Sequence, residues 1–258
     1  MWVGADRVGA HAMQIGSISA LVEYAMLIMM FLMMAQFAIL QVPRALACLT
    51  RAAAVLDVRP EIADDPAAVE LPAGEEGDEV ARFDHVDMRF SDADEDTLHD
   101  LTFSLRRGQV TAIIGNTGSG KSTIARVLLR FNDVTGGSLS FAGADVRRLA
   151  QEELRRRIAY VPQKAWLFSG TIAENLRHGD ANASDERLWH ALDVAQAGFV
   201  RELPGALGTR VAQGGTNFSG GQRQRLAIAR ALVRDADLYI FDDSFSALDY
   251  KTDAALRH

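Results

Sequence analysis

The segment Gly115-Asn-Thr-Gly-Ser-Gly-Lys-Ser122 carries the plainest chemistry in the chain. A glycine, four residues and then Gly-Lys-Ser is the pattern of a loop whose backbone amides converge on phosphate oxygens. Gly115, Gly118 and Gly120 permit backbone angles that side chains forbid, so the N–H groups of Asn116, Thr117 and Ser119 can face one anion. Lys121 supplies a charge that reaches the outer phosphates, and the Ser122 hydroxyl is a ligand for Mg2+. The helix that follows, from Thr123, offers its positive N-terminal end to the same anion. A second feature, Leu238-Tyr-Ile-Phe-Asp242, puts a carboxylate at the end of an apolar run. Beside a phosphate cradle, such a carboxylate holds the metal; alone, it would be a strand-end cap.

These groups work only if strands and helices bring them together. Val110–Ile114 and Leu238–Phe241 are continuous apolar runs that end in the two motifs, the pattern of buried parallel strands. Ile158–Val161 reads as a third. Helical patterns fill Thr123–Phe131, Asp185–Gln196 and Gly220–Arg234, so the alternation predicts an α/β domain with a mainly parallel sheet. The residues from Ala81 to Leu105 alternate more strongly and predict an antiparallel flank.

Upstream the character changes. Ile15 to Val42 is nearly all apolar, and Tyr24 to Pro43 carries no charge, which meets the roughly 20 residues a helix needs to cross a bilayer. The run is too long for the apolar part of a signal peptide. Arg44, Arg51 and Arg59 follow it and only Arg7 precedes it, which places the C-terminal side in the cytoplasm. Helix formers continue to about residue 58; then Pro60, Pro66, Pro72, Gly74 and Gly77 among Asp and Glu predict a solvated acidic linker. A net charge of −7 opposes a nucleic-acid partner, and one cysteine, Cys48, suits a reducing compartment for the soluble part. The methionines at 26, 29, 30, 33 and 34 read as packing or lipid-facing residues. Glu23 suits either a transport path or an interface. His85, His99, His178 and His190 show no ligand spacing.

Phe218-Ser-Gly-Gly-Gln222, followed by Arg-Gln-Arg-Leu-Ala-Ile-Ala-Arg230, resembles the signature motif of ABC ATPases, with phenylalanine in place of the usual leucine. The resemblance implies a P-loop ABC ATPase fold with an antiparallel flank and a helical subdomain, preceded by one transmembrane helix. It implies that ATP and Mg2+ are the cofactors. It also implies that Ser219, Gly220, Gly221 and Gln222 read the ATP held by a second copy of the domain. Phe90 corresponds to the aromatic that stacks on adenine, Gln163 in Tyr-Val-Pro-Gln to the glutamine that touches the metal, and Asp249 in Ser-Ala-Leu-Asp to the loop crossing the dimer interface. Trp166 to Leu176 is similar to exporters rather than importers. On this basis residues 1–58 are a last transmembrane helix with its extension, 59–79 a linker, and 80–258 an ATPase domain cut off after Asp249. The location is the cell inner (plasma) membrane, the transported substrate is unknown, and the lipid bilayer is itself a partner.

Three departures refine the expectation. Asp243 stands where the family carries a catalytic glutamate, and Thr209–Gly215 lacks the acidic residues usual before the signature. Both are marks of exporters built from two unlike subunits, so the expected partner is a second, different ABC exporter subunit, with a slow site on this chain. His258 comes too early to be the switch histidine. The single span is fewer than such exporters need, so the chain reads as a fragment. A soluble ABC ATPase and a non-functional remnant remain as alternatives.

Overall fold

The computed structural model describes residues 2–10, 14–65, 67–69, 71 and 78–244. The chain divides into two units, Met1–Glu61 and Ile62–His258. The first holds a short helix, α1 (Trp2–Gly9), and a 42-residue helix, α2 (Ile15–Leu56), which runs on through Pro43. Most of the apolar side chains of α2, Met26, Phe31 and Leu40 among them, are exposed. A helix apolar on every face is stabilised by lipid or by other apolar helices, not by water. Its length, about 63 Å at 1.5 Å per residue, exceeds what one bilayer core needs. It is long and apolar enough to cross a membrane, with a mean hydropathy of 2.1 in its most apolar window. The helix leaves that apolar stretch without a break, as the sequence predicts; α1 lies outside that expectation.

The second unit begins with the antiparallel flank. Strands β1 (Glu79–Met88), β2 (Leu98–Arg106), β3 (Gly136–Phe141) and β4 (Ala144–Asp145) form one sheet in the order β2-β1-β3-β4. Phe83 and Phe103 face each other across β1 and β2 with ring centroids 4.4 Å apart. Helix α3 (Lys121–Leu128) sends Ile124, Val127 and Leu128 into the same core, and each such burial is worth about 1.5–3 kcal/mol. Helix α4 (Gln151–Arg156) leads into β5 (Ile158–Val161). A short pair, β6 (Gly170–Thr171) and β7 (Arg210–Val211), frames the helical part. That part comprises α5 (Ile172–Arg177), α6 (Asp185–Val194) and α7 (Gly220–Val233). Strand β8 (Leu238–Phe241) closes the described chain and pairs in parallel with β5. Helices α5, α6 and α7 pack a second core around Leu176, Leu188, Leu192 and Leu226. Side-chain caps fix where they start: Thr171 with Glu174 on α5, Ser184 on α6, and Ser219 with Gln222 on α7.

Two expectations fail here for physical reasons, and the mainly parallel sheet is present among the described strands only as the β5–β8 pair. Residues 109–116 form no ladder, and Val110 and Ile114 are 99% and 91% exposed, although the sequence predicts a buried strand at 110–114. A central parallel strand needs a hydrogen-bonding neighbour and cover on both faces. Among the described strands β5 and β8 pair only with each other, so no ladder reaches this run. For the same reason β8 forms but is only half-covered, with Tyr239 and Phe241 partly exposed.

The acidic stretch is the other correction, because part of it is bound rather than solvated. The Arg130 guanidinium donates to the Ala63 carbonyl (3.2 Å), and the Arg157 guanidinium donates to that of Leu71 (2.7 Å). Asp64 accepts from the backbone and side-chain amides of Gln151, both at 3.0 Å, and these bonds, the backbone one first, lower its carboxyl pKa. Val69 N–H donates to the Arg148 carbonyl, and Leu71 is buried. Arginines at 130 and 157 thus turn a polar sequence into a strap. Composition alone cannot distinguish that from a free linker.

Candidate functional site

The loop after residue 114 takes the cradle form that its glycines allow. Gly118 and Gly120 have φ of +84° and +85°, and a Cβ on Gly120 would lie 2.8 Å from the Thr97 carbonyl oxygen. Asn116, Thr117, Gly118 and Ser119 are exposed. The first intrahelical bond of α3 runs from Ile124 N–H to Gly120 O (3.1 Å), so helix geometry leaves the amides of Lys121, Ser122 and Thr123 without an intrahelical acceptor. Thr123 as a whole is buried. Lys121 folds over the loop, its Nζ donating to the carbonyls of Gly115 (2.8 Å) and Asn116 (2.7 Å). The lysine charge thus lies beside an exposed glycine-rich loop and the free amides at the start of α3.

Residues far apart in the chain meet beside it. Ser122 Oγ donates to Asp242 Oδ1 (2.9 Å), joining the start of α3 to the end of β8. Gln163 Nε2 donates to Asp243 Oδ2 (3.0 Å), joining the second residue after β5 to the second residue after β8. Asp243 has φ of +46°, a left-handed conformation in which aspartate is one of the commoner non-glycine residues. Ser244, fully buried, donates to the Val161 carbonyl (2.9 Å), and Asp242 N–H donates to the same oxygen (3.0 Å). These bonds fix the turn that carries both carboxylates. The donor set fits Mg2+, which takes hard oxygen ligands. A hydroxyl that gives its proton to Asp242 keeps lone pairs for a cation, and the Asp242 carboxylate offers the charge.

One contributor is absent from the sequence-based set. Tyr160 donates from its hydroxyl to Asp242 Oδ2 (3.2 Å). Burial, the Asp242 charge and this bond push the phenol up to about 12, so it stays a donor near neutral pH. Only the strand register reveals it: Tyr160 pairs with Ile240, and Asp242 lies two residues on, on the same face.

The other expected residues lie elsewhere. One face of the Phe90 ring carries the Arg126 guanidinium at 5.4 Å. Ser219 caps α7: its Oγ accepts from Gln222 N–H (3.3 Å), and its own N–H donates to Gln222 Oε1 (2.9 Å). Gly220 is exposed with open space around its Cα, so the helix end is accessible. Phe218, the departure from leucine, is buried and tilts against Phe199 with centroids 6.3 Å apart, so the larger ring fills core space. Asp249 and His258 lie outside the described residues. Two histidines without ligand spacing do meet carboxylates: His85 pairs with Asp100 (2.6 Å), and His99 lies near Asp87 (3.4 Å). His99, Asp87 and Asp96 cluster within 4.8 Å, but Arg89 already pairs with Asp96 at 2.8 Å.

Comparison with known proteins decides the family. The model of the ABC transporter family matches residues 98–246, which include the cradle, the capped α7 end and both carboxylates. The chain belongs to the ABC transporter family. An ABC transporter ATP-binding protein of Mycobacterium tuberculosis is 44% identical over 98% of this chain and 44% of that protein. A probable multidrug resistance ABC transporter ATP-binding/permease protein of Bacillus subtilis is 39% identical over 81% of this chain and 35% of its own length. The solved structure of a bacterial Atm1-family ABC exporter with ATP bound superposes with a TM-score of 0.75, at 35% identity, over 84% of this chain and 37% of that one. The chain thus spans less than half the length of these relatives. Its second unit is an ABC ATPase domain of P-loop fold, and such domains bind ATP and Mg2+ and hydrolyse ATP.

Proposed function

We propose that this chain is the ATP-binding part of an ABC exporter, and that its own site turns over slowly. The observation that carries this reading is the Ser122–Asp242 contact at 2.9 Å, which joins a phosphate cradle to a metal-binding carboxylate. ATP seats its phosphates against the amides of Gly115 to Thr123, with Lys121 leaving its carbonyl partners to meet the outer oxygens. Mg2+, when bound, neutralises phosphate charge and orients the terminal phosphate; Ser122, Gln163 and Asp242 are the residues that would hold it. Adenine stacks on the Phe90 face opposite Arg126, or displaces that guanidinium. Gln163 couples the metal to the membrane part. Ser219 to Gln222 present a capped helix end to the nucleotide of a second subunit, with Asp249 at the shared interface. ATP thereby contacts both subunits only when they close, and this differential affinity drives closure. Helix α2 lies in the lipid bilayer of the plasma membrane with the ATPase in the cytoplasm, consistent with Arg44, Arg51 and Arg59 on one side.

Asp243 sets the rate. It is one methylene shorter than the glutamate of active sites, and a displacement of about 1 Å at a reacting centre costs on the order of 10²-fold. The partner is therefore an unlike subunit carrying glutamate at this place, which keeps one fast site in the pair. ATP turnover of the full-length transporter, assembled with its partner, tests this reading. Asp243→Glu should raise turnover at this site at least several-fold, and an unchanged rate removes the basis for a slow site. Membrane fractionation separates the exporter from a soluble ABC ATPase.

A further inference from the structure

Asp242 is held at both carboxylate oxygens, and only one of its two partners belongs to the phosphate-loop motif. Ser122 Oγ donates to Oδ1 at 2.9 Å, and the Tyr160 hydroxyl donates to Oδ2 at 3.2 Å. We propose that Tyr160 is a positioning residue for the metal: it fixes the rotation of the Asp242 carboxylate so that one oxygen always faces the cation. This rests on the nucleotide-site reading above and extends it to a residue outside the cradle.

The geometry supports a fixed arrangement rather than a passing contact. Tyr160 stands in β5 opposite Ile240 of β8, and four consecutive register pairs, Ile158–Leu238 to Val161–Phe241, leave no slip between the strands. Period-two alternation then puts the Tyr160 ring and the Asp242 side chain on one face of this two-stranded sheet. The ring is half-buried and packs against the core beneath the antiparallel flank, which holds the hydroxyl in place. A carboxylate turns easily about its terminal torsion, whose distribution is broad and roughly two-fold. A single hydrogen bond at Oδ1 leaves that rotation partly open; a second at Oδ2 closes it. Groups of this kind, which touch a ligand and not the metal, typically change metal affinity by about 10- to 100-fold when removed.

Tyr160→Phe keeps the ring and its packing and deletes only the donor. Mn2+ binding in the presence of ATP, followed by electron paramagnetic resonance, reads the metal directly on the full-length transporter with its partner. Metal-free binding of a fluorescent ATP analogue in EDTA serves as the second readout. Tyr160→Phe should weaken Mn2+ binding by about 10-fold, leave metal-free nucleotide binding within about two-fold, and regain turnover when Mg2+ is raised. Unchanged Mn2+ affinity overturns the inference, and so does an equal loss in EDTA, which would make the tyrosine merely structural. A wild-type protein that binds no Mn2+ with ATP overturns the nucleotide-site reading, and this inference with it.

Discussion

Gly120→Ala and Gly118→Ala should behave differently, although both glycines have almost the same backbone angle. At φ of +84° and +85° an alanine pays the left-handed cost, about 1–2 kcal/mol, at either position. The surroundings separate them. No atom lies within 4 Å of a Cβ built on Gly118, whereas one on Gly120 would meet the Thr97 carbonyl oxygen and Leu98 Cδ2, each at 2.8 Å. The leucine methyl can rotate away. The Thr97 carbonyl cannot, because Thr97 N–H donates to the Met88 carbonyl at 2.7 Å and Leu98 begins β2. Overpacking of this sort costs about 1–3 kcal/mol, so Gly120→Ala should lose about 2–5 kcal/mol locally against about 1–2 for Gly118→Ala.

Hydrogen exchange of the nucleotide-free protein is the assay, because it avoids any clash of a new methyl group with phosphate. The Thr97 amide reports the Met88–Thr97 bond that must give way. An excess cost of about 1–3 kcal/mol corresponds to roughly 5- to 150-fold faster exchange there in Gly120→Ala than in Gly118→Ala. Equal exchange at Thr97 in the two variants would refute the reasoning, since the angle cost alone would then account for both. ATP affinity should fall in Gly120→Ala as well, because the start of α3, with the amides that lack an intrahelical acceptor, must move with residue 120.

Two further outcomes follow from polar contacts outside the site. Arg157 donates to the Leu71 carbonyl (2.7 Å) and pairs with Glu153 (2.9 Å) and Asp237 (3.3 Å), so Arg157→Ala should free the strap and cost about 2–4 kcal/mol. Limited proteolysis should then cut between residues 62 and 71 faster than in the wild type, and an unchanged cleavage rate would contradict a bound strap. His85 should titrate above the ordinary histidine value of about 6.5, because Asp100 accepts its hydrogen bond and adds a negative charge. The sign follows: the pair's contribution to stability is complete below about pH 6.5 and is lost as pH rises through the raised folded value. Proton NMR of the His85 ring should show this, and Asp100→Asn should return the midpoint to the ordinary range.

Local patterns made the site legible. Gly115 to Ser122 specifies its own backbone, because the glycines needed at left-handed angles are written into the motif. The caps at Ser219 and Thr171 were likewise readable three residues ahead, at Gln222 and Glu174. What stayed hidden depends on pairing between distant segments. Val110–Ile114 has the composition of a buried strand, yet burial is a property of neighbours, and no described strand lies against it. Tyr160 looked like one more apolar strand residue until the β5–β8 register aligned it with Asp242. The strap has no sequence signature because Ala63 and Leu71 are bound through their carbonyls, which every residue type carries.

Strand β5 explains why the site sits where it does. Its alternate side chains serve different cores: Ile158 and Tyr160 face the one beneath the antiparallel flank, and Ala159 and Val161 face the one formed by α5, α6 and α7. Four residues thus form a wall shared by two packed bodies, and Gln163 leaves from the C-terminal end of that wall. In α/β folds the carboxyl ends of parallel strands are where loops can gather functional groups, because the strands hold their bases rigid while the loops remain free. Here the groups come from both sides of the wall. Lys121 and Ser122 belong to the first body, and Gln163 is tied to the second through Gln224 of α7, whose side chain reaches the Pro162 carbonyl at 3.5 Å. Asp242 and Asp243 join them by contacts of 2.9 and 3.0 Å. The Gln163–Asp243 contact is one of several links at this seam, beside the Tyr160–Asp242 bond and the bonds that Asp242 N–H and Ser244 Oγ donate to the Val161 carbonyl.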